Sequence, residues 1–181
     1  MSPPRIVALE GVDASGKTTH ADHLALALRL AGVSASAWEH RPAPAGLGTY
    51  GRALHYALER AALASVGIEA LGSPDVVIVD RWWPSNEVAG SLSIGSDHHA
   101  LRALVTAERW ALPSAYVILL HAPQAEIERR LAARKEPTDG VAAQQRAYIE
   151  LAEHHGWPAV ATTLPREQVT ERLVGIVRGW L

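Results

Sequence analysis

Short apolar runs and helix-period stretches alternate along the chain from one end to the other. Ile6–Leu9, Val76–Val79 and Tyr116–Leu120 are continuous apolar runs. Runs this short, without a polar face, suit strands of a parallel sheet covered on both sides. Val33–Trp38 and a stretch from about Ala159 to Thr162 complete five predicted strands. Helical sequence fills the intervals. It runs from Thr18 to Ala31, ended by Gly32, and from Thr49 to Val66, with Tyr50, Leu54, Leu58 and Ala61 or Ala62 along one face. It resumes near Ser85, then from an Asp97 N-cap to Leu112, where Pro113 stops it. Pro123–Ala133, Val141–His155 and a last helix opened by Pro165 follow. His40–Gly48, Gly72–Pro74 and Glu136–Gly140 hold the prolines and glycines of loops. The alternation predicts an α/β fold, a five-stranded parallel sheet with helices on both faces, as one domain over residues 1–181. Ligands are then expected beyond the carboxyl ends of the strands.

The first of those ends carries the strongest chemical signal. Gly11-Val12-Asp13-Ala14-Ser15-Gly16-Lys17-Thr18 follows the first strand and opens the first helix. This is the spacing and setting of a phosphate-binding loop. Gly11 and Gly16 let the backbone turn so that successive N–H groups converge, at the positive end of a helix. Gly11, Asp13, Ala14, Ser15, Gly16, Lys17, Thr18 and Thr19 are thus the expected contacts of a nucleotide's phosphates. Lys17 would reach the β- and γ-phosphates, and the Thr18 hydroxyl would hold Mg²⁺.

Composition narrows the partners. A net charge of −2 with no basic run argues against nucleic acid. Cysteine is absent, which removes disulfides, thiolate metal sites and a thiol nucleophile. No run approaches the length of a membrane span, and Met1–Pro4 leads into one short strand rather than a leader's apolar core. A cytoplasmic protein with no membrane partner is expected. Gly-x-Ser-x-Gly, the guanine-reading Asn-Lys-x-Asp and an Asp-x-x-Gly switch are all missing, against a serine hydrolase and a GTPase. The paired histidines lack acidic neighbours at ligand spacing and read as surface residues, while Trp110, Trp157 and Trp180 read as packing residues.

Asp80-Arg81 ends the third strand and is the second chemical centre. A carboxylate there can hold Mg²⁺, and the arginine offers a planar fork to a phosphate. Glu10-Gly11-Val12-Asp13-Ala14-Ser15-Gly16-Lys17-Thr18-Thr19, Asp80-Arg81-Trp82 with Ser85-Asn86, and Leu112-Pro113 before the fourth strand together resemble the thymidylate kinases. The resemblance covers nearly the whole chain in order. It implies a P-loop nucleotide kinase fold, ATP and Mg²⁺ as co-substrate and cofactor, a dTMP-type acceptor, and a homodimer pairing through the 97–112 helix.

The resemblance also implies roles. Asp13 lies near the acceptor's 3′-hydroxyl, and Arg81 binds the acceptor phosphate. Arg41 is a further phosphate ligand, and Tyr56 stacks on the base. Arg60 and Asn86 touch the base edge, and either Trp82 or Trp83 walls the pocket. Thr18 and Asp80 hold the metal, and Lys17, Asp80, Arg81 and a lid arginine serve the transfer. The loop between Asp13 and Gly16 contains no arginine, so Arg134, in a short lid of about 134–141, is the expected donor, with Arg130 or Lys135 behind it. The chain departs from the family in the Arg41–Thr49 loop, in Ala89 where an aromatic often stands, and in the length of the lid. Those departures keep three other readings open: a sister kinase with a different acceptor, a non-kinase P-loop ATPase, and an interaction protein on a kinase fold.

Overall fold

The computed structural model describes residues 5–72, 74–93 and 95–181. Met1–Pro4, read above for the lack of a leader, and Ser73 of the Gly72–Pro74 break lie outside them. Five strands form one sheet in the order β2-β3-β1-β4-β5: β1 Arg5–Glu10, β2 Ala35–Trp38, β3 Val76–Asp80, β4 Ala115–His121 and β5 Ala159–Ala161. Every pairing is parallel. The predicted α/β architecture is therefore the observed one.

The helices are α1 Lys17–Leu30, α2 Thr49–Ala62, the short α3 Ile68–Ala70, α4 Trp83–Ser91, α5 Gly95–Ala111, α6 Gln124–Ala133, α7 Val141–His155 and α8 Arg166–Arg178. A π-helical turn, Leu63–Gly67, joins α2 to α3. α5 begins two residues before the expected Asp97 cap, and Asp97 sits in its first turn, where a negative charge suits the helix dipole. α4 likewise starts at Trp83, with Pro84 in the first turn, where its missing N–H is not needed.

Alternate residues of each strand serve opposite layers. Val7, Leu9, Ile78, Ile118 and Leu120 face α1 and α8, meeting Leu24, Leu28, Val169 and Leu173. Ile6, Ala8, Val77, Val79 and Val117 face the other way, where Leu63 and Trp82 cover them. A further cluster seats α6 and α7 beside β4 through Leu119, Ile127, Leu131 and Tyr148. Both sheet faces are covered, which is why the strands read as unbroken apolar runs.

Two expectations fail on the outer helices. The α2 residues Tyr50, Leu54 and Leu58 are exposed at 37%, 38% and 63%, and the helix instead buries Ala53, Ala57 and Arg60. Trp110 on α5 is 91% exposed and belongs to no core cluster of the described residues, whereas Trp157 and Trp180 join the core clusters. No helix among the described residues is long and apolar enough to cross a membrane.

Candidate functional site

Register brings the carboxyl ends of three strands together. Leu9 pairs with Asp80 and Glu10 with Leu119, so the segments leaving β1, β3 and β4 emerge side by side. A cleft of about 300 Å³ opens there. The 11–16 loop forms one wall and β2's exit another, with the α6–α7 loop across from them.

The loop's shape depends on its glycines. Gly11 has φ 138°, and a Cβ there would stand 2.3 Å from the Leu120 carbonyl oxygen. Gly16 takes φ 97° at the N-cap of α1, and Ala14 is also left-handed at φ 61°. Ser15 N–H closes the turn onto the Val12 carbonyl. The N–H groups of Asp13, Ala14 and Gly16 meet no acceptor among the described residues, and all three residues line the cleft. Unpaired backbone donors beside a helix N-terminus make an anion cradle. Lys17 folds over this loop, its Nζ donating to the Val12 carbonyl at 2.8 Å. Burial pushes its pKa down to about 8. Thr18 and Thr19 also line the cleft, and Ser15 is buried beneath it.

Thr18 donates its hydroxyl to Asp80 Oδ2, while Asp80 Oδ1 is buried with no partner. A hydroxyl beside a carboxylate oxygen left unpaired is a donor set that fits a hard divalent cation.

Arg81 is the most tethered residue of the cleft. Its backbone is left-handed at φ 78°, a conformation that costs a non-glycine residue about 1–3 kcal/mol. Its own N–H holds that turn by donating to the Leu9 carbonyl, and His40 Nε2 donates to the Arg81 carbonyl at 3.2 Å. A carbonyl only accepts, so this bond fixes the imidazole tautomer. Burial, then the charge of Arg60, pushes the His40 pKa down to about 3, keeping the ring neutral. Arg81 Nη1 donates to the Gly11 carbonyl, Ser85 Oγ and Tyr148 Oη at 3.1, 3.1 and 3.0 Å, and Nη2 pairs with Asp13. Burial alone would lower the Arg81 pKa, but Tyr148, Asp13, Glu10 and Asp80 around it outweigh that and raise it. The Arg81 charge in turn lowers the Asp13 carboxyl. Nε–H has no partner among the described residues, and Nη2 has one acceptor for its two hydrogens. Those remaining donors suit a phosphate oxygen.

Tyr56 and Arg134 also line the cleft, so the expected stacking and lid residues reach it, joined by His40, Pro42, Glu39 and Glu136. Four other expectations are corrected. Arg41 is exposed and outside the lining: His40 and Pro42 face the cleft, and the residue between them faces away. Trp82 is fully buried among Ile6, Val79 and Val117, because the left-handed turn at Arg81 sends the next side chain inward. Trp83 is not among the residues that line the cleft either. It meets Trp157 edge-on at 5.9 Å and stacks under the Arg109 guanidinium at 4.6 Å.

Arg60 and Asn86 are 1% and 3% exposed and turn toward Glu108 of α5. Arg60 Nε donates to Glu108 Oε1 at 2.7 Å, and Asn86 Nδ2 donates to Oε2 at 2.7 Å and to the Ala53 carbonyl. The apolar packing of α2, α4 and α5 leaves this buried carboxylate no other partners, so it claims both side chains. Arg130, read as a reserve lid cation, is bound to Glu126, Thr162 and the Ala14 carbonyl, and so braces the loop.

Sequence reasoning missed Glu108, Tyr148 and His40. Ser85 and Glu10 stood inside the quoted motifs without roles. Ser85, four residues after Arg81 at a helix start, had a local signal. Tyr148, 67 residues away, had none. The chain matches no family model and no curated protein sequence.

Proposed function

We propose that the protein is an ATP- and Mg²⁺-dependent phosphotransferase, a nucleoside monophosphate kinase of the thymidylate kinase type. It would carry the γ-phosphoryl of ATP to a monophosphate acceptor, dTMP first. One observation supports the reading: a single cleft is lined both by the loop residues with unpaired amides, with Lys17 among them, and by Arg81, which keeps unpaired donors. A binding module or simple ATPase needs only the first.

In this reading Lys17 and the loop amides hold the donor phosphates, and Arg81 holds the acceptor phosphate in line with them. An acceptor oxygen attacks the γ-phosphorus, the bond to the β–γ bridging oxygen breaks, and ADP leaves. Arg134 neutralises charge on the moving group from the lid side. Thr18 and Asp80 would hold Mg²⁺, which supplies charge neutralisation to the donor phosphates when bound. A second copy of the chain docking on α5 is part of the same proposal. The exposed Trp110 on α5 is consistent with it, and light scattering tests it.

A second reading, a kinase of the same type with another acceptor, is favoured by the commitment of Arg60 and Asn86 to Glu108. Coupled ADP release over a panel of nucleosides and nucleotides separates the readings. Release that requires dTMP supports the first, and release that requires another acceptor supports the second. ADP release independent of any acceptor overturns both.

A further inference from the structure

We infer that Tyr148 is a positioning residue for Arg81, holding the guanidinium so that its remaining donors serve the cleft and linking it to the helix that follows the lid. The inference rests on the proposed assignment of Arg81 to the acceptor phosphate.

The argument begins with where the protons sit. Glu10 is fully buried, and its carboxylate accepts the Trp82 N–H on one oxygen and the Ser85 hydroxyl, at 2.7 Å, on the other. Ser85 has one hydrogen, and Glu10 takes it. The 3.0 Å contact between Ser85 Oγ and Tyr148 Oη must then be donated by Tyr148. With its hydrogen spent, Tyr148 meets Arg81 Nη1 with a lone pair, as the 3.0 Å distance requires. The chain runs in one direction, Arg81 to Tyr148 to Ser85 to Glu10, from a cation to a carboxylate, and each bond polarises the next. Burial raises the Tyr148 pKa, which keeps the phenol protonated for this role.

The other acceptors of Nη1, Gly11 and Ser85, belong to the loop and to α4, whereas Tyr148 is the contact from α7. The N-cap of α7 is Gly140, the last residue of the short loop that brings Arg134 and Glu136 to the cleft. α7 is itself fixed to the end of β4 by Gln145, which donates to the Ala122 carbonyl at 2.6 Å. Two groups placed on opposite sides of the cleft, the acceptor arginine and the lid, therefore share one rigid element. The Tyr148 ring is 3% exposed among Val12, Val88, Ile127 and Leu131, so it cannot swing away without opening that cluster.

Tyr148→Phe keeps the ring and its packing and removes only the hydroxyl. A hydrogen bond to a charged group is worth about 1.5–3 kcal/mol, so a loss of roughly tenfold or more is expected in what Arg81 binds. The variant should show an acceptor KM raised about tenfold, an ATP KM within about twofold of wild type, and a melting temperature within a few degrees. The Arg81 Nε–H signal, followed by nitrogen-15 NMR during titration with inorganic phosphate, should shift in wild type and respond only at about tenfold higher phosphate in the variant. That second readout needs no turnover. If wild type phosphorylates no monophosphate, the proposed function fails while the phosphate titration still tests Tyr148. An unchanged acceptor KM with an unchanged titration overturns the inference. So does an equal rise in both KM values with a large fall in melting temperature, which is the mark of a purely structural residue. Should Tyr148→Phe not fold, Ser85→Ala cuts the same chain one step later and is judged by the same outcomes.

Discussion

Of the arginines paired with carboxylates, Arg81 and Arg60 have opposite fates. Arg81 is 23% exposed and paired with Asp13, itself 71% exposed, at the mouth of the cleft. Arg60 is 1% exposed and paired with Glu108, 5% exposed, between helices. The first pair is solvated, and Arg81 keeps donors that Asp13 does not occupy for an arriving anion. The second is sealed, and releasing either partner would strand a charge away from water. An arginine at a familiar register is therefore not enough to make a ligand-binding residue. Its partner and its burial decide whether the guanidinium is available.

The sharpest way to break this comparison is to delete each arginine and look at different observables. Arg81→Ala should lower turnover on the order of 10²–10³-fold, the usual loss for one preorganised donor to a reacting group. ATP binding, measured by calorimetry, should fall far less than turnover, because Lys17 and the loop amides are separate donors, though Arg81 also holds the Gly11 carbonyl of that loop. Wild-type turnover in this variant would remove Arg81 from the acceptor site.

Arg60→Met should act on the fold instead. Removing one member of a buried pair costs about 3–5 kcal/mol, because Glu108 is left charged and buried. Chemical denaturation should show that loss, and the folded fraction should keep its acceptor KM. The double variant Arg60→Met, Glu108→Leu should recover much of the stability, since an apolar pair of similar volume removes the stranded charge. A raised acceptor KM with stability unchanged would return Arg60 to the acceptor site.

The same pair marks where the sequence stops being legible. Three of the five strands could be read as continuous apolar runs, and the other two as short segments between helical stretches. The 11–18 loop could be read because its glycines, lysine and threonine are contiguous. The position of Arg81 at the cleft could be read because Asp80 ends a strand. The role of Arg60 depends on Glu108, 48 residues away on another helix, and no local pattern announces a buried carboxylate. Periodicity even pointed to the wrong side of α2. Its largest apolar residues, Leu54 and Leu58, lie outward, while two alanines and an arginine lie inward. Small residues let α2 approach α4 and α5 closely, and the ion pair fills the remaining space.

Lys17 combines features of both arginines, being buried like Arg60 yet facing the cleft like Arg81. Its ammonium, unlike a guanidinium, can lose its proton, and burial has lowered its pKa from 10.5 to about 8. Donor-nucleotide affinity should therefore be highest below about pH 8 and fall as pH rises through it, which calorimetry at several pH values would show. Stability moves the other way. Between about pH 8 and 10.5 the unfolded chain keeps a proton that the folded protein has released, so folding becomes more favourable as pH rises through that window. Lys17→Met should accordingly melt higher than wild type at pH 7, and the gap should shrink by pH 10. An equal gap at both pH values would mean that the ammonium is not the source of the cost.

Asp13 offers the smallest and finest test of the comparison. Its carboxyl pKa lies below the ordinary value of 3.8 because the Arg81 charge favours the ionised form. The folded state thus holds its proton less tightly than the unfolded chain. The resulting stability is present above about pH 4 and disappears as pH falls through the lowered folded value. Exposure of the Asp13 side chain limits the pair to about 1 kcal/mol or less, a shift of at most about 2–4 °C in a chain of this length. Asp13→Asn should therefore melt slightly lower than wild type at pH 7 and together with it near pH 2. A loss of several kcal/mol at pH 7 would mean that Asp13 and Arg81 are bound as tightly as Arg60 and Glu108.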